Sequence, residues 1–146
     1  MTTPTHIMAG LVIGKLTGNY PLSIAVAVGV DADHFFSYAK NGTLTSVKKF
    51  IKTSLAKDDP YGDQKNILHN VFVFVLISGV IFLINHQIGF IFSLAYLSNL
   101  VLDALDNSDY FPFYPSRRVN IRGPIEYASW KEFLIVCFLV VTFLLI

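Results

Sequence analysis

Three ionisable side chains that can bind a metal follow one another closely near the start of the chain. Asp31, Asp33 and His34 come directly after a run of apolar residues that belongs in lipid or in a protein core. Ionisable groups beside a membrane are costly unless they pair with one another or bind a cation. Carboxylate and imidazole groups together suit zinc, manganese or iron. The cluster therefore predicts one half of a metal site, and the rest of the chain must supply the other half.

The composition indicates a membrane protein. The chain has 146 residues, of which 53% are hydrophobic and only 14% are charged, whereas ordinary soluble domains are about 25% charged. We therefore expect a single membrane domain, residues 1–146, whose partner is the lipid bilayer, and we expect no nucleic-acid partner. The one cysteine, Cys137, excludes a disulfide framework within the chain. The residues before His6 include no basic region, so we expect no removable signal peptide.

Residues 6–34 predict a pair of short helices. The apolar run of residues 7–30 is interrupted at Gly18-Asn19-Tyr20-Pro21, which is typical of a turn followed by a helix start. A single continuous helix would be about 36 Å long and would cross the bilayer. A hairpin of two half-length helices would instead bring His6 level with Asp33, and we favour it. Small residues recur at every fourth position and would let the two helices approach closely: Gly10, Gly14 and Gly18, then Ala25 and Gly29.

Residues 67–105 predict a central transmembrane hairpin. Two apolar segments there are each long enough to span the bilayer, and only Asn85-His86-Gln87 separates them. So short a link requires two antiparallel helices. His69 lies seventeen residues before His86, and Asp103 lies seventeen after it. The side chains of His69 and Asp103 should therefore meet at the same height, about 25 Å from the turn and near the opposite membrane face.

Two polar connections determine the predicted topology. The loop of residues 38–66 holds six of the eleven Lys and Arg residues, and the loop of residues 106–130 together with Lys131 holds four more. The first loop is also predicted to contain an amphipathic helix from about Thr45 to Leu55. Loops rich in Lys and Arg favour the cytoplasmic side, and a last apolar helix follows at 131–146. We predict an all-α, multi-pass integral helical bundle of the inner membrane, with an N-terminal helical hairpin, a central antiparallel transmembrane hairpin and a C-terminal transmembrane helix.

This topology brings six ligand-type side chains to the cytoplasmic face. They are His6, Asp31, Asp33, His34, His69 and Asp103. Such a set could hold one metal with supporting partners, or two metals bridged by a carboxylate. Asp31 and His34 can converge on one ion while Asp33 binds a neighbouring ion or orients an imidazole. We predict a divalent metal, zinc in the first place, with manganese and iron as alternatives.

Several short motifs resemble a known family in order and spacing. They are Thr5-His6, Asp31-Ala32-Asp33-His34, His69, the segment Tyr96 to Leu105, and Phe113-Tyr114-Pro115-Ser116-Arg117-Arg118. The family is that of predicted inner-membrane metal-dependent hydrolases, one of whose members is described as LexA-associated. The resemblance implies a membrane-bound hydrolase. The chain departs from the family pattern at four places, with Val30 for proline, Gln64-Lys65 for His-Arg, Asn70 for serine and Asn99 for histidine.

The first functional hypothesis is a metal-dependent hydrolase that acts on a phosphoester or a lipid headgroup at the cytoplasmic interface. In it, Asp33 or Asp103 is the catalytic base, and Arg117, Arg118 and Asn99 bind the substrate. The alternative is a catalytically degenerate membrane protein whose polar cluster is structural or binds a cation, because two histidine positions of the family pattern are lost. A small transporter is disfavoured, since no polar path continues from the cluster toward the far turn.

Overall fold

A computed structural model describes residues 1–54, 56 and 65–146, and the regular secondary structure of these residues is helical. Its helices are α1 (Thr3–Thr17), α2 (Tyr20–Gly29), α3 (Ala32–Lys40), α4 (Val47–Ser54), α5 (Val71–Ile84), α6 (His86–Leu105) and α7 (Trp130–Leu145), with a 3-10 turn at Thr43–Thr45. These ranges include no β-strand, and two isolated bridges tie together the loop after α6. The predicted all-α class is confirmed.

The helices α1 and α2 form the predicted N-terminal hairpin. α1 ends because Gly18 takes a left-handed conformation, with φ of 74°, which glycine adopts without steric cost. α2 begins where the Asn19 side chain accepts a hydrogen bond from the Leu22 amide at 3.2 Å. The two helices pack closely, since a Cβ added at Gly10 would lie 2.8 Å from the Cα of Ile24. The hairpin is confirmed, and the alternative of one continuous helix is wrong.

The helices α5 and α6 are antiparallel, as predicted, and α6 is the central helix that packs against α1, α2 and α5. Their connection is tighter than expected, because Asn85 alone joins them and caps α6 by accepting a backbone hydrogen bond at 3.0 Å. α5 begins later than the predicted residue 67, because Asn70 caps it by accepting a backbone hydrogen bond at 2.7 Å. Residues 65–70 are therefore a loop, and this loop carries His69 into the interior.

Among the described residues, α6 is the helix that is long and apolar enough to cross a membrane. Its 20 residues extend about 30 Å, the thickness of the hydrocarbon core. α5 has 14 residues and α7 has 16, which is short for a full span. Both expose large apolar side chains, including Phe72 and Leu83 on α5 and Phe133 and Leu144 on α7. Such surfaces are typical of lipid contact, while the three transmembrane spans stay a prediction.

The basic loop contains the predicted amphipathic helix, α4, which begins two residues later than expected. Leu55, where the prediction ended it, and Gln64 of the family motif lie outside the described residues. The Phe50 ring of α4 packs edge-on against Tyr38 of α3, with 5.7 Å between the ring centroids. Both rings line a cavity beside the candidate site.

The helix α7 is joined to α1 by buried polar contacts. The Glu132 carboxylate accepts hydrogen bonds from the Thr2 amide at 2.6 Å, from the Thr2 hydroxyl at 2.8 Å and from the Thr5 hydroxyl at 2.6 Å. At the other end of α1, the Lys15 ammonium donates to the Phe143 carbonyl at 2.6 Å. These contacts fix the position of the helix that carries His6.

Candidate metal centre

Four parts of the chain bring polar side chains together at one end of the bundle. His6 lies near the start of α1, Asp31 in the turn between α2 and α3, His69 in the loop before α5, and Asn99 and Asp103 one turn apart on α6. Four of these residues are fully buried: His6, His69, Asn99 and Asp103. The Nε2 atom of His69 lies 2.8 Å from Oδ2 of Asp103. The equal height that the sequence predicts for His69 and Asp103 is therefore confirmed.

The side chains of His6, Asp31 and Asp103 form a group that could hold a metal ion. Their candidate ligand atoms all lie within 4.8 Å of one another. The Nε2 atom of His6 is 3.8 Å from Oδ2 of Asp31 and 3.5 Å from Oδ1 of Asp103. This nitrogen is buried and has no hydrogen-bond partner, although buried polar atoms are nearly always paired. A cation between the imidazole and the two carboxylates would give this nitrogen a partner, whereas Asp103 and Asp31 already accept hydrogen bonds from the Met1 amino group and from Asn99.

The His69 side chain faces the same two carboxylates from the other side. Its Nε2 atom lies 2.8 Å from Oδ2 of Asp103 and 3.8 Å from Oδ1 of Asp31. Burial lowers the pKa of His69, but hydrogen bonds with Asp103 and then Asp33 outweigh burial and raise the pKa above its usual value. Each carboxylate thus turns one oxygen toward His6 and the other toward His69.

The Asp33 carboxylate is directed away from this group and toward the loop of residues 65–70. Its Oδ2 atom accepts backbone hydrogen bonds from Asn66 at 3.1 Å, from Leu68 at 2.7 Å and from His69 at 3.2 Å. The same oxygen lies 3.2 Å from Nδ1 of His69. A carboxylate behind a histidine ring is the usual way to orient an imidazole and to leave its other nitrogen for a metal. The contacts of Asp33 are those of a positioning residue.

The Asn99 side chain holds Asp31 in place. Its Nδ2 atom donates to the carbonyl oxygen of Ala27 and to Oδ1 of Asp31, both at 2.9 Å, and lies 3.2 Å from Nδ1 of His6. The residue is fully buried and does not line the cavity. In the structure Asn99 therefore contacts Asp31 and His6, and its role in substrate binding stays a prediction.

A cavity of about 590 Å³ lies against the group and is lined by His34, Asp31, Lys65 and Asp106 among others. The centroid of the His34 ring is 5.9 Å from that of His69, and burial lowers the pKa of His34. The group of His6, Asp31 and Asp103 does not include His34. The contacts of His34 are those of a cavity wall beside the candidate metal.

Sequence reasoning missed two charged groups at this cavity. The Lys65 ammonium donates to the Asp103 carbonyl at 2.9 Å and lies 4.0 Å from Oδ2 of Asp106. The Met1 amino group donates to Asp103 at 2.6 Å and to Asp106 at 2.7 Å. Asp106, the partner of both, lies within one helical turn of Asp103, and this spacing could have placed it at the site. Lys65 stands where the family pattern has arginine, so its positive charge was also a usable signal.

The structure does not bring the two predicted substrate-binding arginines to the cavity. Arg117 and Arg118 are exposed, and neither lines the cavity. The Arg117 guanidinium lies over the Phe111 ring, 5.5 Å from its centroid. Lys65 is the side chain that supplies positive charge to the cavity wall.

Helices with apolar outer surfaces, and a buried group of imidazoles and carboxylates at one end, define a helical membrane protein with a candidate metal centre. The chain belongs to the YdjM inner membrane protein family, whose sequence model matches residues 1–146. No curated protein and no solved structure matches the chain. The family confirms the membrane class and the inner membrane that the sequence predicts.

Proposed function

We propose that the protein is a membrane-bound, metal-dependent hydrolase that acts on a phosphoester at the cytoplasmic face of the inner membrane. The observation that carries this proposal is the unpartnered Nε2 atom of His6, which faces the buried carboxylate of Asp103 and the partly buried carboxylate of Asp31. Mixed imidazole and carboxylate ligands suit zinc, with manganese and iron as alternatives. We infer that His6, Asp31 and Asp103 hold the metal and that His69 lies beside it.

A divalent metal at this place would polarise the ester and supply a nucleophile near neutral pH. The chain's own residues do the rest. Asp33 fixes the His69 ring through Nδ1, and Nε2 of His69, which lies 2.8 Å from Oδ2 of Asp103, is placed to exchange a proton with that carboxylate. Asn99 holds Asp31 in its orientation. These contacts favour His69, with Asp103, as the proton carrier over the predicted Asp33, whose oxygen is engaged by four donors.

The cavity wall holds a buried cation beside two carboxylates. Lys65 is almost fully buried there, 4.0 Å from Oδ2 of Asp106, and Asp31 lines the same wall. With Asp31 engaged by the metal, Lys65 would be the side chain that meets an anionic substrate. The rings of Tyr38 and Phe50 line the same cavity and exclude water from part of it. The cytoplasmic placement rests on the Lys and Arg residues of the two flanking loops. At that level the cavity would meet lipid headgroups, so a headgroup phosphoester is the substrate class that we propose.

The alternative of a degenerate site is not favoured. Asn99 motivated it, because the family pattern has histidine at this position. In the structure the Asn99 amide donates to Ala27 and to Asp31, at the centre of the group. An asparagine that orients a ligand is compatible with a single working metal.

Metal analysis of the protein purified in mild detergent tests the proposal. We expect bound zinc, manganese or iron in the wild type, and we expect His6→Ala to lose it together with phosphodiester hydrolysis. His86→Ala is the matched control, since His86 is exposed at the far end of the bundle, and it should keep both. Absence of metal from the wild type, or full retention of metal by His6→Ala, would overturn the proposal.

A further inference from the structure

A second cavity, of about 210 Å³, lies among α2, α5 and α6. We call it the apolar groove, and its walls are Ala25, Val26 and Gly29 of α2, Leu68 and Ile77, and Phe92 and Tyr96 of α6. The Tyr96 hydroxyl donates to the Leu68 carbonyl, so its hydrogen-bonding capacity is met within the protein. The groove therefore offers apolar contact and no free polar group from these two residues.

The groove runs along the helices, from the level of the candidate metal centre toward the middle of the bundle. Gly29 and Tyr96 lie at its upper end, and Ala25 and Phe92 lie one helical turn deeper. Four residues of helix extend about 6 Å. The walls thus cover about one turn of α2 and of α6, and α6 is the described helix that is long enough to span a membrane.

Gly29 lines both the groove and the larger cavity beside the metal centre. A Cβ added at Gly29 would meet no atom within 4 Å. Gly29 is thus the residue that both linings share, and the backbone there leaves room for a larger side chain beside both spaces.

We propose that the apolar groove is an acyl-chain subsite, and that the substrate is a membrane lipid whose phosphoester lies in the cavity while one chain passes Gly29 into the groove. This inference rests on the proposed hydrolase. The larger cavity has Lys65 to contact an anionic headgroup. The groove is smaller than the roughly 300 Å³ of a pocket that holds a whole compact ligand, so it suits part of a chain better than a separate molecule. Lipid is the molecule that the exposed apolar faces of α5 and α6 meet in the inner membrane.

Photo-crosslinking in vesicles tests the subsite. The protein is reconstituted with phosphatidylethanolamine and phosphatidylglycerol, plus phosphatidylglycerol that bears a diazirine within one acyl chain, and the adducts are located by peptide mass spectrometry. We expect adducts on the groove residues Leu68, Ile77 and Phe92, and a loss of about tenfold in Gly29→Leu. Gly79→Leu is the matched control, because Gly79 also has open space for a Cβ but lines neither cavity, and it should keep these adducts.

Metal content is measured on the same samples, so that failure of the subsite and failure of the hydrolase are distinguishable. Adducts spread evenly over lipid-facing peptides and unchanged in Gly29→Leu would overturn the subsite, even if the metal is present. Groove adducts in a wild type that binds no metal would overturn the hydrolase and leave only a lipid site. If Gly29→Leu does not fold, Ala25→Leu fills the groove one turn deeper and should give the same loss of adducts; unchanged adducts would overturn the subsite.

Discussion

Asp33→Asn is an informative change, because one carboxylate oxygen of Asp33 lies within hydrogen-bond distance of four donors. Three donors are backbone amides of residues 66–69, and the fourth is Nδ1 of His69. Asparagine has nearly the same shape and retains one acceptor oxygen, but it loses the charge. The variant therefore tests whether an ionised carboxylate is what holds the loop and the imidazole.

The magnitude follows from the number of donors. A hydrogen bond to a charged group contributes about 1.5–3 kcal/mol, whereas a neutral one contributes about 0.5–1.5 kcal/mol. The stabilisation lost is thus about 1 kcal/mol for each backbone amide that donates to Asp33. For the three amides together, we expect Asp33→Asn to lower the free energy of unfolding by about 2–3 kcal/mol. Removal of the carboxylate that orients the imidazole beside the metal should also weaken zinc binding, by about 10–100-fold for a supporting partner of this kind.

Both quantities can be measured on detergent-purified protein. Unfolding in an SDS titration is followed by circular dichroism, and zinc affinity is measured by competition with a chromophoric chelator. Asp109→Asn is the matched control, because Asp109 pairs at 2.5 Å with the exposed Arg122 and such surface pairs contribute about 0–1 kcal/mol. If Asp33→Asn and Asp109→Asn lower stability equally and leave zinc affinity unchanged, Asp33 does not act as inferred.

Three further predictions follow from contacts around α1 and the metal centre. Glu132→Gln should lower the free energy of unfolding by about 1–3 kcal/mol, because three donors at the start of α1 lose a charged acceptor; exposed Glu126→Gln is the control. Gly10→Ala should destabilise by about 1–3 kcal/mol through contact with α2, whereas Gly79→Ala, which has open space, should be neutral or stabilising. Zinc affinity, measured by the same competition, should fall as pH decreases from about 8 to 6, because protonation of His69, whose pKa is raised, places a positive charge beside the cation; a flat profile would contradict this.

The parts of the site that depend on helix length were predictable from the sequence. The equal spacing of His69 and Asp103 from His86 placed them at one height, and their side chains lie 2.8 Å apart. The turn at Gly18 likewise brought His6 back to the level of Asp31. Both inferences use only the fixed rise of a helix and the position of a turn. The apolar residues on either side determine the helices, so these relations follow from local sequence.

The parts that depend on loop conformation were not predictable. Asp33 follows Asp31 by two residues, and nothing in that spacing indicates that its carboxylate turns toward residues 65–70. That loop ends at the Asn70 cap, where α5 begins, and the backbone amides of Leu68 and His69, which no helix pairs internally, donate to Asp33. The path of this loop therefore directs the Asp33 carboxylate toward His69 and away from the group of His6, Asp31 and Asp103.

Asn99 shows how the same residue type leads to opposite conclusions from sequence and from structure. Against a family pattern with histidine, asparagine counts as a lost ligand and favours an inactive protein. The buried Asn99 amide instead supplies two donors, one to the Ala27 carbonyl and one to Asp31, and an imidazole with one N–H could not make both bonds. Asp31 is then held with its other oxygen directed toward His6. Asparagine in place of histidine at residue 99 thus removes one candidate ligand and fixes the orientation of another, Asp31. A fixed Asp31 is what the proposed centre with a single metal requires.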